Sequence, residues 1–445
     1  MSNFAQTTST GNNMIIDKLT ISLEEAVDIA VSSNPTIVIA GKEVEIKKQA
    51  KNEVLWNLLP EATINGSYSN TIKKQTMAMD LGGEVQTFKV GMKHNYTGSL
   101  NVNLPIFAPA LYKTMTLSKE DVSLALEKSR ASKIDLINQV DTAYFQILLA
   151  QDSYMVLNKS LLQAEDNLSV VSSKFKFGKV SEYDQIRAEV QMRNIRPSVI
   201  AAENAVRLAK MQLKVLLGIS SPVDLVIEDK LDEYGVVLKE DVYQFDLEYN
   251  YSIDLSNNSD LKQLDLSERM LKQSVKLQRT NYLPIVSLDY NYTYMALENR
   301  SNVFDYSWYP TSSIGVKVSI PLFRGSNMTK VRQSKIELSK MYFMKQNNER
   351  QLRMQASSYL DNMRASSEQL ESNHLGVEQA LKGRSIAKKM YEVGKGTILE
   401  LNDSEVALVQ SQLAYNQAIF DFLSAKCDYS RVIGLVSFYK NIKNK

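Results

Sequence analysis

Strict alternation of apolar and polar residues marks four short stretches of this chain. In the clearest, Val286, Leu288, Tyr290, Tyr292 and Tyr294 alternate with Ser287, Asp289, Asn291 and Thr293. A second sets Ile314, Val316, Val318, Ile320 and Leu322 against Ser313, Gly315, Lys317 and Ser319. Leu100, Val102, Leu104 and Ile106 against Ser99, Asn101 and Asn103 make a third, and Ala62 to Asn70 a weaker fourth. A period of two predicts strands with one apolar and one polar face, near 61–71, 97–107, 285–295 and 312–322. His94 then falls in the loop between the first two strands.

Elsewhere the period is helical. Pro35 to Leu58 and Ser259 to Tyr282 each read as one helix. From Pro109 to Gly178, and from Gly325 to Gly394, 69 residues pass without an internal proline. Helical throughout, each stretch would reach about 100 Å. The apolar seam of the first runs Ile137, Val140, Tyr144, Ile147, Tyr154, Leu161, Leu168, Val171, Phe175. Its steps of three, four and seven are a heptad rhythm, which favours coiled-coil packing. Gly178 and Gly394 permit a sharp turn, and a second helix returns to Gly218 or Gly434. Pro197 has no proline partner, since Leu413 occupies the matching position, and it predicts a kink or break near Arg196.

These elements occur twice. KFKFGKVSEYDQIRAEV, starting at Lys174, is echoed by MYEVGKGTILELNDSEV, starting at Met390, 216 residues on. Pro105 and Pro321, and Gly218 and Gly434, share that offset, whereas Pro60 and Pro284, and Asn34 and Asn258, are 224 apart. The second copy is therefore eight residues shorter between its two strands, which marks a loop there. The chain divides into a leader over 1–18, read as what remains after signal removal, and repeat 1 over 19–219. An inter-repeat equatorial segment over 220–257, repeat 2 over 258–436 and a tail over 437–445 complete it.

Composition narrows the function. The formal charge of +2 gives no pull toward nucleic acid. One cysteine, Cys427, and two histidines, His94 and His374, leave no metal-ligand cluster and no cofactor site. No nucleophile elbow or phosphate loop is present, so an enzyme is not expected. Seventeen methionines without a Met-x-x-Met array read as core filling.

No apolar run reaches the roughly 18 residues of a membrane-crossing helix. The strands, however, have the length of membrane-barrel strands. Tyr290, Tyr292 and Tyr294 would form an aromatic girdle on the apolar face. Lys317, Asn101, Asn103 and Asp289 on the other face suit water better than a core. Four strands cannot close a barrel around water, and lipid tolerates no open edge. Copies of the chain must share one barrel: two would give eight strands, three would give twelve.

The ordered combination of duplicated helix–strand–strand–long helix–helix units, with a Gly-Lys-x-[ST] turn after each long helix, resembles the TolC family of outer-membrane efflux channels. The opening LTISLEEAVDIAVSSNP is also similar to that family's start. The resemblance spans about Leu19 to Val436. It implies a homotrimer with a twelve-stranded barrel in outer-membrane lipid, continuous with a periplasmic α-helical coiled-coil barrel. It also implies docking on a periplasmic adaptor (a membrane fusion protein) and an inner-membrane RND or ABC transporter. By the same resemblance, Gly178, Val180, Ser181, Gly394, Gly396 and Thr397 are adaptor-contact residues at the hairpin tips. Asp184, Glu400 and Asp403 are then pore acids. Where some members carry a gating arginine, this chain has Gly396, with Lys395 and Arg187 the cations near by.

The tip acids also have a local explanation. Ser181-x-x-Asp184 and Thr397-x-x-Glu400 have capping-box spacing. Asp403, one turn beyond Glu400 on the same helix face, lies outside the box and is the more telling pore candidate. The rival to an exit duct is a soluble coiled-coil scaffold whose hairpins mediate assembly.

Overall fold

The computed structural model describes residues 18–219, 223–234, 253–299 and 306–435. The 1–17 part of the leader, the 437–445 tail and most of the 220–257 segment lie outside the described residues. The two repeats produce elements of matched length. Helix α1 (Leu23–Ser33) leads into α2 (Pro35–Trp56). Strands β2 (Glu61–Asn70) and β5 (His94–Phe107) precede α3 (Pro109–Lys176) and α4 (Glu182–Leu217). Repeat 2 has α5 (Ser259–Thr280), β7 (Ile285–Glu298), β8 (Trp308–Ser319), α6 (Gly325–Glu392) and α7 (Ile398–Ile433). The long helices are 68 residues in both copies and the return helices 36. Pro35 and Pro109 each open a helix, where a missing N–H costs nothing.

Two compact units share these elements. One takes residues up to Gly41, Glu127–Lys262 and from Gln346 onward. Its core buries Tyr144, Phe145, Ile147 and Leu148 of α3 with Leu213 and Leu217 of α4 and Ile419 and Phe422 of α7. A short parallel pair, β1 (Lys18–Thr20) with β6 (Asp224–Val226), inserts Leu225 into this core. Asp229 beside it accepts hydrogen bonds from Tyr144 at 2.7 Å and Tyr234 at 2.8 Å. The predicted seam of α3 is buried from Ile137 to Ile147 and again at Val171, but Phe175 is exposed.

The other unit, Lys42–Leu126 and Gln263–Lys345, holds an antiparallel sheet in the order β2-β5-β7-β8. A second hairpin, β3 (Gln75–Leu81) with β4 (Glu84–Val90), occupies the longer loop of repeat 1. Its Gly82 and Gly83 both have positive φ, the requirement of a tight two-residue turn.

Two expectations are corrected. His94 is not in a loop: it opens β5 opposite Asn70, and its Nδ1 lies 3.0 Å from the Tyr68 hydroxyl. Of the kink or break expected near Arg196, the break does not occur: α4 stays helical from Glu182 to Leu217. Pro197 is exposed, so the carbonyl it frees one turn earlier faces solvent.

Candidate functional site

The sheet separates its residues by face. Glu61, Thr63, Asn65 and Ser67 of β2 stand opposite Asn103, Asn101, Ser99 and Thr97 of β5. Asn103, Asn101 and Ser99 in turn face Asp289, Asn291 and Thr293 of β7. Hydrogen bonds cross these rungs. Asn103 donates to Asp289 and Asn291 donates to Asn101, while along β7 the Thr293 hydroxyl donates to Asn291 at 2.6 Å. Such a ladder satisfies its members and leaves lone pairs for water, as the wall of a wet channel requires. The opposite face carries Ile64, Leu100, Val102, Tyr290, Tyr292, Ile314, Val316 and Val318.

Aromatic rings gather at the loop end of that apolar face. Tyr68 and Tyr96 are 4.6 Å apart between centroids, and Tyr294 stacks on Trp308 at 5.4 Å. Amphipathic rings of this kind suit a membrane–water boundary. Every residue of β2 and of β8, the two edge strands, is exposed.

The hairpin tips are built by matched caps. Gly178 and Gly394 take left-handed φ of 70° and 74°. Lys179 N–H then reaches back to the Lys174 carbonyl at 2.9 Å, and Lys395 N–H to Met390 at 2.8 Å, the six-to-one bond of a Schellman end. Ser181 and Thr397 cap the return helices with complete capping boxes. Asp184 accepts from the Ser181 N–H at 3.1 Å, and Glu400 accepts from the Thr397 N–H at 2.8 Å. Asp403 is exposed and stands outside this network. Gly396 is crowded: a Cβ there would lie 3.1 Å from the Met390 Cβ and 3.3 Å from Glu400 Oε2.

Gly178, Ser181, Gly394 and Thr397 are exposed, while Val180 is half buried. Val180 packs on a cluster of Val171, Ala188, Ile398 and Leu401 that joins the two hairpins. Arg187 lies over the Tyr183 ring at 4.8 Å, and Lys395 is exposed.

The structure adds residues that sequence reasoning missed. Tyr391 lies under Lys174, whose Nζ is 4.8 Å from the ring centroid, and its buried hydroxyl has no hydrogen-bond partner among the described residues. Burial first, and Asp184 near by second, push its hydroxyl pKa up. Arg384 donates to Glu405 at 2.7 Å, both side chains about four-fifths buried. Asn167, Asn402 and these four residues line a cavity of about 230 Å³. The missed signal was asymmetry between the copies: Phe175 stands where Tyr391 does, and Leu168 where Arg384 does.

The outer membrane efflux protein family matches residues 29–219 and 250–426. The chain is similar to the alkaline protease secretion protein AprF of Pseudomonas aeruginosa, at 21% identity over 92% of this chain and 83% of AprF. It is similar to the cobalt-zinc-cadmium resistance protein CzcC of Cupriavidus metallidurans, at 22% identity over 93% and 90%. The crystal structure of the CmeC outer membrane channel of Campylobacter jejuni shares the fold. Its TM-score is 0.71 at 17% identity, over 99% of this chain and 96% of CmeC.

Proposed function

The chain belongs to the outer membrane efflux protein family, and from that premise we infer that it is the outer-membrane exit duct of an export system. Three copies of a four-stranded sheet supply twelve strands to one shared barrel. The barrel passes cargo without chemistry, and a periplasmic helical extension leads to it. The observation that carries this reading is the sheet itself. It has a hydrogen-bonded polar face, an apolar face ending in aromatic rings, and two fully exposed edges. In lipid an edge of unpaired N–H and C=O groups is untenable, so the sheet must be completed by its own kind. A soluble scaffold would have no use for that arrangement.

The partners follow from the same reading. A periplasmic adaptor takes the tips at Gly178, Val180, Ser181, Gly394, Gly396 and Thr397, and an RND or ABC transporter feeds the duct from the inner membrane. Gly178, Ser181, Gly394 and Thr397 of these turns are exposed, which supports a docking role, while Val180 and Gly396 are half buried beside them. Asp184, Glu400 and Asp403 place carboxylates around the periplasmic mouth, where rings of acids favour cations. Comparable similarity to a protease secretion protein and to a metal resistance protein supports a duct whose cargo is chosen by its pump.

Detergent extraction followed by light scattering and planar-bilayer recording tests the reading. A trimer that gives stepwise conductance is expected. A monomer that stays in solution without detergent and conducts nothing would overturn it.

A further inference from the structure

We propose that neighbouring copies zip together in one register, β8 of one copy antiparallel to β2 of the next, with Ser319 opposite Asn65. The proposal rests on the exit-duct reading and adds the residue-level seam.

The duplication supplies the argument. First strands of the two repeats are related by 224 residues and second strands by 216. Within repeat 1, Glu61 of β2 pairs with Asn103 of β5. Adding the offsets gives Ile285 with Ser319, which is the pairing observed between β7 and β8. Offsets taken from prolines, glycines and asparagines thus reproduce a register they were not drawn from.

Asn103 of β5, a second strand, pairs with Asp289 of β7, a first strand. The symmetry-related seam joins second strand β8 to first strand β2. These two stand at opposite edges of the sheet. Three strand spacings separate them, about 14 Å, so they cannot meet within one chain. The partner is a second copy.

Applying the offsets to Asn103 and Asp289 gives Ser319 opposite Asn65. Successive pairs are Lys317 with Ser67 on the polar face, and Ile320 with Ile64, Val318 with Gly66 and Val316 with Tyr68 on the apolar face. Both offsets are even, so every pair keeps like face with like. A slip by one residue would turn all side chains over and is forbidden by the two solvents. A slip by two keeps the faces and is the competitor to exclude.

Cysteine pairs in the full-length protein decide between them. Ser319→Cys with Asn65→Cys tests the polar face, and Val318→Cys with Gly66→Cys the apolar face. Ser319→Cys with Thr63→Cys, or with Ser67→Cys, tests the slipped registers. Directly opposite residues lie within disulfide reach, whereas diagonal ones, about 7–8 Å apart, do not. All these positions are on exposed edge strands, so folding is not at stake, and the native Cys427 is buried. After mild oxidation, the two in-register pairs should lose the monomer band to covalent trimer on non-reducing gels, and the slipped pairs and single variants should not. Preferential cross-linking of a slipped pair overturns the register. So does absence of cross-links in protein that light scattering shows to be trimeric. Those results leave the duct reading standing; monomeric protein in detergent removes both.

Discussion

The side-chain amide of Asn258 donates to the main-chain carbonyl of Val432 at 2.6 Å. Asn34 makes the same bond to Leu216 at 2.7 Å, and Leu216 and Val432 are themselves repeat mates. Each asparagine also caps the helix it precedes: Asn258 accepts from the Leu261 N–H at 2.8 Å and Asn34 from Thr36 at 2.7 Å. One residue thus ties the start of one helix to the end of another and closes each repeat.

Replacing Asn258 by Leu removes the cap and leaves a buried carbonyl unpaired. A loss of about 2–4 kcal/mol is expected, the sum of a cap and an unsatisfied acceptor. Denaturant unfolding in detergent measures it, and Asn34→Leu should cost a similar amount. A change under about 0.5 kcal/mol, the range of ordinary surface substitutions, would show the bond to be incidental.

The glycines of the two helix ends should respond unequally. Gly434 has φ of +80°, and a Cβ would sit 2.1 Å from the Asn257 carbonyl oxygen. Gly394 has φ of +74° with nothing within 4 Å. Gly394→Ala should therefore cost only the left-handed penalty, about 1–2 kcal/mol. Gly434→Ala adds a clash with backbone and should cost clearly more, visible as a lower thermal midpoint. Bulky or charged side chains at Gly178 or Gly394 should stop transport in cells while the trimer persists in detergent. Equal midpoints for the two alanine variants would refute the packing argument.

At the tips, charge and capping can be separated. Glu400→Gln keeps a side-chain acceptor for the Thr397 N–H but removes the charge, whereas Glu400→Ala removes both. Asp403→Ala removes a charge that caps nothing. Glu400→Gln and Asp403→Ala should each change single-channel conductance and weaken cation preference with little loss of stability. Glu400→Ala should also destabilise by about 0.5–2 kcal/mol. Unaltered ion selectivity in Asp403→Ala would take it out of the pore.

What the sequence disclosed and what it hid follow from physics. The alternation of Val286 to Tyr294 was legible because each face meets one uniform solvent, and the long helices because no internal proline interrupts 109–176 or 325–392. The 75–90 hairpin was overlooked because Met77 and Met79 alternate with Thr76, Ala78 and Asp80 too weakly to stand out. Its Gly82-Gly83 turn was the available signal. The break that Pro197 suggested does not occur because a proline on the solvent side of a long helix forfeits one bond without ending the helix. The buried Tyr391 hydroxyl and buried Asp141 were hidden because burial by distant helices leaves no local trace.

Asp141 makes the stability of the fold depend on pH. It lies on α3, almost fully buried. Burial pushes its carboxyl up to about 7 from the ordinary 3.8. In the unfolded chain the group ionises near pH 4, so between about pH 4 and pH 7 the folded state holds the proton more tightly. Stability from this site is complete below the unfolded value and is lost as pH rises through the folded one, by roughly 4 kcal/mol at the upper end. Asp141→Asn keeps the shape and does not titrate. Its stability relative to the unmodified protein should therefore rise steadily from about pH 4 to about pH 7 and level off above. Thermal midpoints of both proteins across that range measure the difference. A constant gap at every pH would mean that Asp141 is charged in the folded protein and has found a counter-ion.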